Sequence, residues 1–274
     1  MSRSPLLPSG PGSGQYPSRG VRMAAAARTV TAALLILLPA LAPAQSVCTN
    51  EGQPAAGRWL ERFVSADCAD CWTDPSTPAA GHETQVLDWV VPGIQGDDAP
   101  LSAVARREAS ERLEALRLDR PPRATTQSAT LPRRPVPTLR IARGPALNGY
   151  IGIGLRIGPV PRALEGAQIA IALVETLPAG TEGSPVARNL VRNVHYPAWK
   201  GHFSLSKTKK SVFSETRTMN IPEGAQPDRL QLVAWVWDRH GQVVAAYRTD
   251  CKDKQAGIDH GIRNEQDQRA MSGQ

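Results

Sequence analysis

The sequence predicts an α+β protein: an α/β half followed by a mostly antiparallel β half of sandwich or barrel type. Three observations carry this. A strand-like run ends in a Cys-x-x-Cys pair at Cys68 and Cys71, a strongly amphipathic stretch follows at 99–118, and beyond residue 148 strand-like runs succeed one another with no helical pattern between them. The expected divisions are 1–44 as an upstream segment and cleaved leader, 45–148 as the α/β half with a loop at 119–135, 149–252 as the β-rich half, and 253–274 as a flexible tail.

Residues 1–22 are rich in Pro, Gly and Ser, and Met23 is the better start. From it runs a stretch with Arg28 as its basic front, an apolar run from Val30 to Leu41 and the small-residue end Ala42, Pro43, Ala44. That pattern reads as a secretory signal peptide. The run is shorter than the roughly 20 residues a membrane-spanning helix needs, so the expectation is an exported chain, periplasmic or extracellular, with no stable membrane insertion after cleavage. Val47 is too large to precede a lipid-modified Cys48. The net charge of +7 owes much to the leader, where Arg3, Arg19, Arg22 and Arg28 stand without an acid. The remainder carries 28 bases against 25 acids, which excludes nucleic acid as a partner on charge grounds.

Along the mature chain, "RWLERFV" from Arg58 alternates as a half-buried strand does, and the cysteine pair follows it. Asp74 as N-cap and Pro75 in the first turn predict a short helix ended by Gly81. "TQVLDWVVPG" is an apolar strand stopped by Pro92 and Gly93. In "APLSAVARREASERLEALRL", Leu101, Val104, Ala105, Ala109, Leu113 and Leu116 share one helical face, opposite Arg106, Arg107, Glu111 and Glu114. Residues 119–135 are proline-rich with few large apolar groups and predict a loop. "VPTLRIA", "YIGIGLRIG", "AQIAIALVETL", "HFSLS", "SVFSETRTMNI" and "RLQLVAWVW" with "QVVAAYR" are strands, the last two joined by a hairpin turn at Asp238 to Gly241. Trp235 and Trp237 fall on one face and read as sheet packing.

In an exported chain the four cysteines can form bridges, and three pairings are open. The preferred one joins Cys68 to Cys71 and Cys48 to Cys251. The order strand, Cys-x-x-Cys, strand, helix, "PVPTLRIARG" resembles thioredoxin-like proteins. More closely, Phe63, Ser65, Cys68 and Cys71, with "VLDWVV", "LSAVARREASERL" and "ARNLVRNV", resemble a family of secreted bacterial proteins of unassigned function. These join a thioredoxin-like N-terminal half to a β-rich C-terminal half. The resemblance implies Cys68 as attacking thiolate, Cys71 as resolving thiol and Pro137 as the cis-proline of a substrate-shaping loop, with protein thiols or disulfides as partners and no cofactor. The chain departs from the family at Val64, where threonine is usual, and at Trp72 and Thr73, where the family continues through prolines into a long helix.

A helix beginning only at Pro75 would leave Cys68 outside its favourable field, and Asp67 and Asp70 would oppose a thiolate. Two functions therefore stay open: an exported thiol–disulfide oxidoreductase, or a non-catalytic envelope or secreted binding protein in which Cys68–Cys71 is a structural disulfide. A single Cys-x-x-Cys lacks a second ligand pair for zinc, with His82 in a turn. "GYIGIG" lacks the βαβ setting of a dinucleotide loop. His195, His202 and His240 lie in separate segments, Trp199, Trp235 and Trp237 are the candidates for lining a ligand groove, against which stands the sheet packing of the last two, and "SKTKKS" at 206–211 reads as a solvated turn.

Overall fold

The computed structural model describes residues 47–78, 84–132, 138–158, 166–198 and 212–251. The expected leader, "HFSLS", His82, Trp199, His202, "SKTKKS", Pro137 and the tail lie outside the described residues, except that Cys251 is described. The described residues belong to one compact unit. Among the described residues no helix is long and apolar enough to cross a membrane.

The architecture is α+β and strongly β-rich. The strands in chain order are β1 (Cys48–Thr49), β2 (Arg58–Ser65), β3 (Thr84–Val91), β4 (Ala124–Thr130), β5 (Thr138–Leu147), β6 (Tyr150–Gly158), β7 (Gln168–Leu177), β8 (Arg188–His195), β9 (Phe213–Asn220), β10 (Leu230–Trp237) and β11 (Val243–Arg248). The helices are α1 (Ala69–Thr73) and α2 (Arg107–Leu116). A four-stranded sheet has the order β1-β5-β6-β9, and a seven-stranded sheet the order β11-β10-β7-β8-β3-β2-β4. In the larger sheet β2 runs parallel to β3 and β3 parallel to β8, while the other pairings are antiparallel. The expected boundary at 148/149 falls in the turn of the β5–β6 hairpin, and strands from both sides of it share the seven-stranded sheet.

Period-two alternation explains how one sheet feeds two cores. Along β10, Leu230, Leu232, Ala234 and Val236 face the four-stranded sheet, where they meet Ile141, Ile151, Leu155 and Ile157. Val233, Trp235 and Trp237 face the other way, onto a layer with Trp59, Phe63, Trp89 and, from α2, Ala109 and Leu113. Trp235 thus shares a face with Trp237, and its ring lies 5.3 Å from that of Trp59 and 6.3 Å, edge-on, from that of Trp89, separations at which aromatic pairs add about 0.5–1.5 kcal/mol beyond area burial. The Asp238–Gly241 hairpin is present: Asp238 Oδ1 accepts the amides of His240 and Gln242, and Gly241 takes the positive φ of 81° that this turn needs.

Four expectations are corrected. Residues 119–135 are not wholly loop, because 124–130 forms β4, an edge strand antiparallel to β2. Its polar, uncharged run suits an edge that is buried little on either face. The amphipathic stretch is not one helix: 3-10 turns at Gly96–Asp98 and Ser102–Val104 precede α2. The strand β2 is not half-buried, since Glu61 and Arg62 are as buried as Trp59 and Phe63. Each is ion-paired, Glu61 to Arg112 at 2.8 Å and Arg62 to Asp88 at 2.6 Å, which is what burial of charge requires. Finally, the helix after the cysteines begins before Asp74, with consequences for the site.

Candidate functional site

The parallel strands β2 and β3 end side by side at Ser65 and Val91, and the chain leaving β2 turns at once into α1. Cys68 is its N-cap and its sulfur accepts the Cys71 N–H at 3.3 Å. A thiolate at Cys68 would therefore receive a backbone donor in a helix's first turn, the arrangement that favours the charged sulfur. The expectation that the helix starts at Pro75 is overturned; Asp74 instead forms a turn in which Ser76 donates both its amide and its hydroxyl to the Asp74 carboxylate. Those bonds hold the Asp74 pKa below its usual value although the group is fully exposed.

Both disulfides preferred from the sequence are present, Cys68–Cys71 and Cys48–Cys251. The second ties β1 to the residue after Asp250, which itself bridges back to Thr49. Cys68 is 7% exposed and Cys71 more open.

Asp67 does not stand as an idle anion beside the sulfur. Its carboxylate accepts the amides of Ile94 at 2.7 Å and Gln95 at 3.2 Å. Gly93 makes this approach feasible, because a methyl group there would overlap the Asp67 carboxylate. Asp70 remains exposed in the first turn of α1.

Beneath the turn lies a buried charge cluster that the sequence did not announce. Asp88 on β3 accepts Arg62 Nε at 2.6 Å, Arg62 Nη2 at 2.9 Å and the Asn189 amide at 2.7 Å. Arg188, opening β8, stands 3.6 Å from the same carboxylate and is fully buried. Its Nε donates to Ser184 Oγ at 2.9 Å, and Nη2 donates to the carbonyls of Trp72 at 2.7 Å and Cys71 at 3.5 Å. Its guanidinium also lies 4.6 Å above the Trp72 ring, whose indole N–H donates to Glu182 O at 2.9 Å. Burial lowers the Arg188 pKa, Asp88 raises it, and the Arg62 charge lowers it again. Arg62 also donates to Pro78 O. The sequence signal was weak: in "ARNLVRNV" Arg188 and Arg192 stand among Leu190, Val191 and Val194, but the two asparagines make the segment as polar as it is apolar.

Pro137 lies outside the described residues. The strand it precedes, β5, pairs with β1 and β6 in the four-stranded sheet. Beside the cysteine end of β2 lies instead the segment entering β4, with Arg123 O accepting the Ser65 amide at 2.8 Å and Pro121 and Pro122 just before it. His195 bonds Glu215 at 2.8 Å, and His240 sits in the hairpin turn; among the described residues no three His, Cys, Asp or Glu side chains converge as metal ligands would. A cleft of about 720 Å³ lies at the start of β2, at the end opposite the Cys68–Cys71 pair, lined by Gln53, Arg58, Gln85, Leu131 and Arg248 among others.

No family model matches the chain, and no curated protein matches it. Among solved structures it is similar to HBP35 of Porphyromonas gingivalis, with 10% sequence identity, 74% of this chain and 77% of that one covered, and a TM-score of 0.48. A likeness that loose carries neither fold nor function across.

Proposed function

We propose that this chain is an exported, thioredoxin-like thiol–disulfide oxidoreductase acting on protein thiols through Cys68 and Cys71. The observation that carries the reading is the position of Cys68: N-cap of α1, at the carboxyl end of parallel strands, with the Cys71 N–H on its sulfur. A strand, a cysteine pair, a helical turn, a parallel strand and an antiparallel neighbour on the other side of β2 form an order that favours a thioredoxin-like build.

With a dithiol client the exchange balances as follows. One client thiolate attacks Cys68 Sγ; the Cys68–Cys71 bond breaks, and Cys71 leaves as a thiolate that takes up a proton. The client's second thiol loses its proton and attacks the client sulfur of the mixed disulfide. A client disulfide forms and Cys68 departs as a thiolate held by the Cys71 amide. Two electrons pass from client to protein, and the reverse sequence reduces a client disulfide. The 7% exposure of Cys68 favours a second reading, a non-catalytic binding protein with a structural Cys68–Cys71 bridge.

The test is turnover and trapping. Mature protein should oxidise a reduced model dithiol peptide or reduce insulin, and Cys71→Ser should accumulate a mixed disulfide at Cys68. A Cys71→Ser protein that folds and traps nothing would support the structural bridge instead.

A further inference from the structure

We propose that Arg188 is the positioning residue that sets the redox equilibrium of the Cys68–Cys71 couple, an inference that rests on reading the pair as an exchange site. α1 is only five residues long, too short to hold itself as a helix in water. Its last carbonyls, at Cys71 and Trp72, are held by Arg188 from β8, and its Trp72 ring is sandwiched against the same guanidinium. The indole N–H is fixed in turn by Glu182 O in the segment joining β7 to β8. The turn that carries the sulfurs is therefore anchored from a strand more than a hundred residues further along the chain.

Arg188 also brings charge. Asp88 is shared between Arg62 and Arg188, so this buried trio carries a net single positive charge; of the acids around the turn, Asp67 is held by the Ile94 and Gln95 amides, and Asp70 and Asp74 are exposed, where solvent screens them. The disulfide is neutral, whereas reduction creates a thiolate. A desolvated cation at the end of the same turn stabilises the thiolate form more than the disulfide, which makes the disulfide easier to reduce. Arg188 touches neither sulfur, so its effect passes through the turn and through the field.

The experiment equilibrates wild type, Arg188→Gln and Arg188→Lys in graded dithiothreitol buffers, reads the oxidised fraction by alkylation and mass, and follows thiolate absorbance at 240 nm against pH. Arg188→Gln should lower the equilibrium constant for reduction on the order of tenfold and raise the Cys68 thiol pKa by a matching amount, since one pKa unit is a tenfold effect. Arg188→Lys keeps the charge but loses the fork, and should stay within about threefold of wild type in both readouts while melting earlier. A wild-type redox equilibrium and thiolate titration in Arg188→Gln, with only stability reduced, would overturn the proposal. Should Arg188→Gln not fold, a tenfold shift in Arg188→Lys would overturn the electrostatic role. If wild type exchanges with no client yet Arg188→Gln still shifts the couple, the functional reading fails and this inference stands.

Discussion

Replacing Asp88 by asparagine removes one negative charge from between two guanidiniums and changes little in shape. The carboxylate is fully buried and accepts two bonds from Arg62 and one from the Asn189 amide, with Arg188 Nη1 at 3.6 Å. The side chains of Arg62 and Arg188 are themselves 3% and 0% exposed. An asparagine offers a single acceptor oxygen and turns an NH₂ toward donors, so both buried guanidiniums lose the counter-charge they share. Breaking a buried pair in this way costs about 3–5 kcal/mol. For a domain of about 200 residues that corresponds to a fall in melting temperature on the order of 10 °C. Urea unfolding of the oxidised protein, followed by tryptophan fluorescence, should show the midpoint falling with an unchanged slope. A triple change, Arg62→Met with Asp88→Leu and Arg188→Met, should recover much of the loss, because no charge then remains to be desolvated. A loss below about 1 kcal/mol in Asp88→Asn would instead mean that water or a rearranged neighbour satisfies both arginines, and that the carboxylate is not what holds them.

Three further outcomes are expected. Serine at both Cys48 and Cys251 opens a link between residues 203 apart; the loss should be about 2–5 kcal/mol, measured by thermal melting, and a loss under about 1 kcal/mol would contradict the link's role. Gly93→Ala forces the Asp67 carboxylate off the Ile94 and Gln95 amides and should destabilise by about 1–3 kcal/mol; in a double-mutant cycle with Asp67→Ala the two effects should not add, because both remove one contact. The Tyr196 phenol is pushed up to about 12, by desolvation first and then by Glu111, although the residue stays 38% exposed, so solvent screening keeps the accompanying effect on stability small. Its neutral form is favoured in the folded state, so its contribution to stability is fully present below pH 10 and is lost as pH rises from 10 through 12. Absorbance at 295 nm, taken as the difference between wild type and Tyr196→Phe, should show this late titration, and a phenol titrating near pH 10 would contradict it.

Apart from the Cys48–Cys251 bridge, which the cysteine count suggested across 203 residues, what the sequence revealed was what local pattern controls. The cysteine spacing, the hairpin at Asp238–Gly241 and the shared face of Trp235 and Trp237 all depend on residues close together in the chain. β2 was misjudged because the partners that let Glu61 and Arg62 go inside, Arg112 and Asp88, lie 51 and 26 residues away. β4 was hidden by prolines at both ends and by a polar composition that an edge strand tolerates. The start of α1 at Cys68 is a matter of backbone angles that Asp74 and Pro75, a more conventional start, concealed. Asp67 read as an anion opposing a thiolate until Ile94 and Gln95 came to meet it. Arg188 sits in a segment that mixes polar and apolar residues, and its target at Trp72 lies 116 residues back, beyond any local pattern.

The proposed function requires that the N-cap of α1, with Arg188 behind the turn, make Cys68–Cys71 a couple that exchanges rather than a staple. Its most direct test is the reduction potential of that couple in the wild-type protein, with the Cys48–Cys251 bridge intact. A value above about −300 mV, in the range of working exchange sites, is predicted; one far below it, typical of structural bridges, would contradict the account.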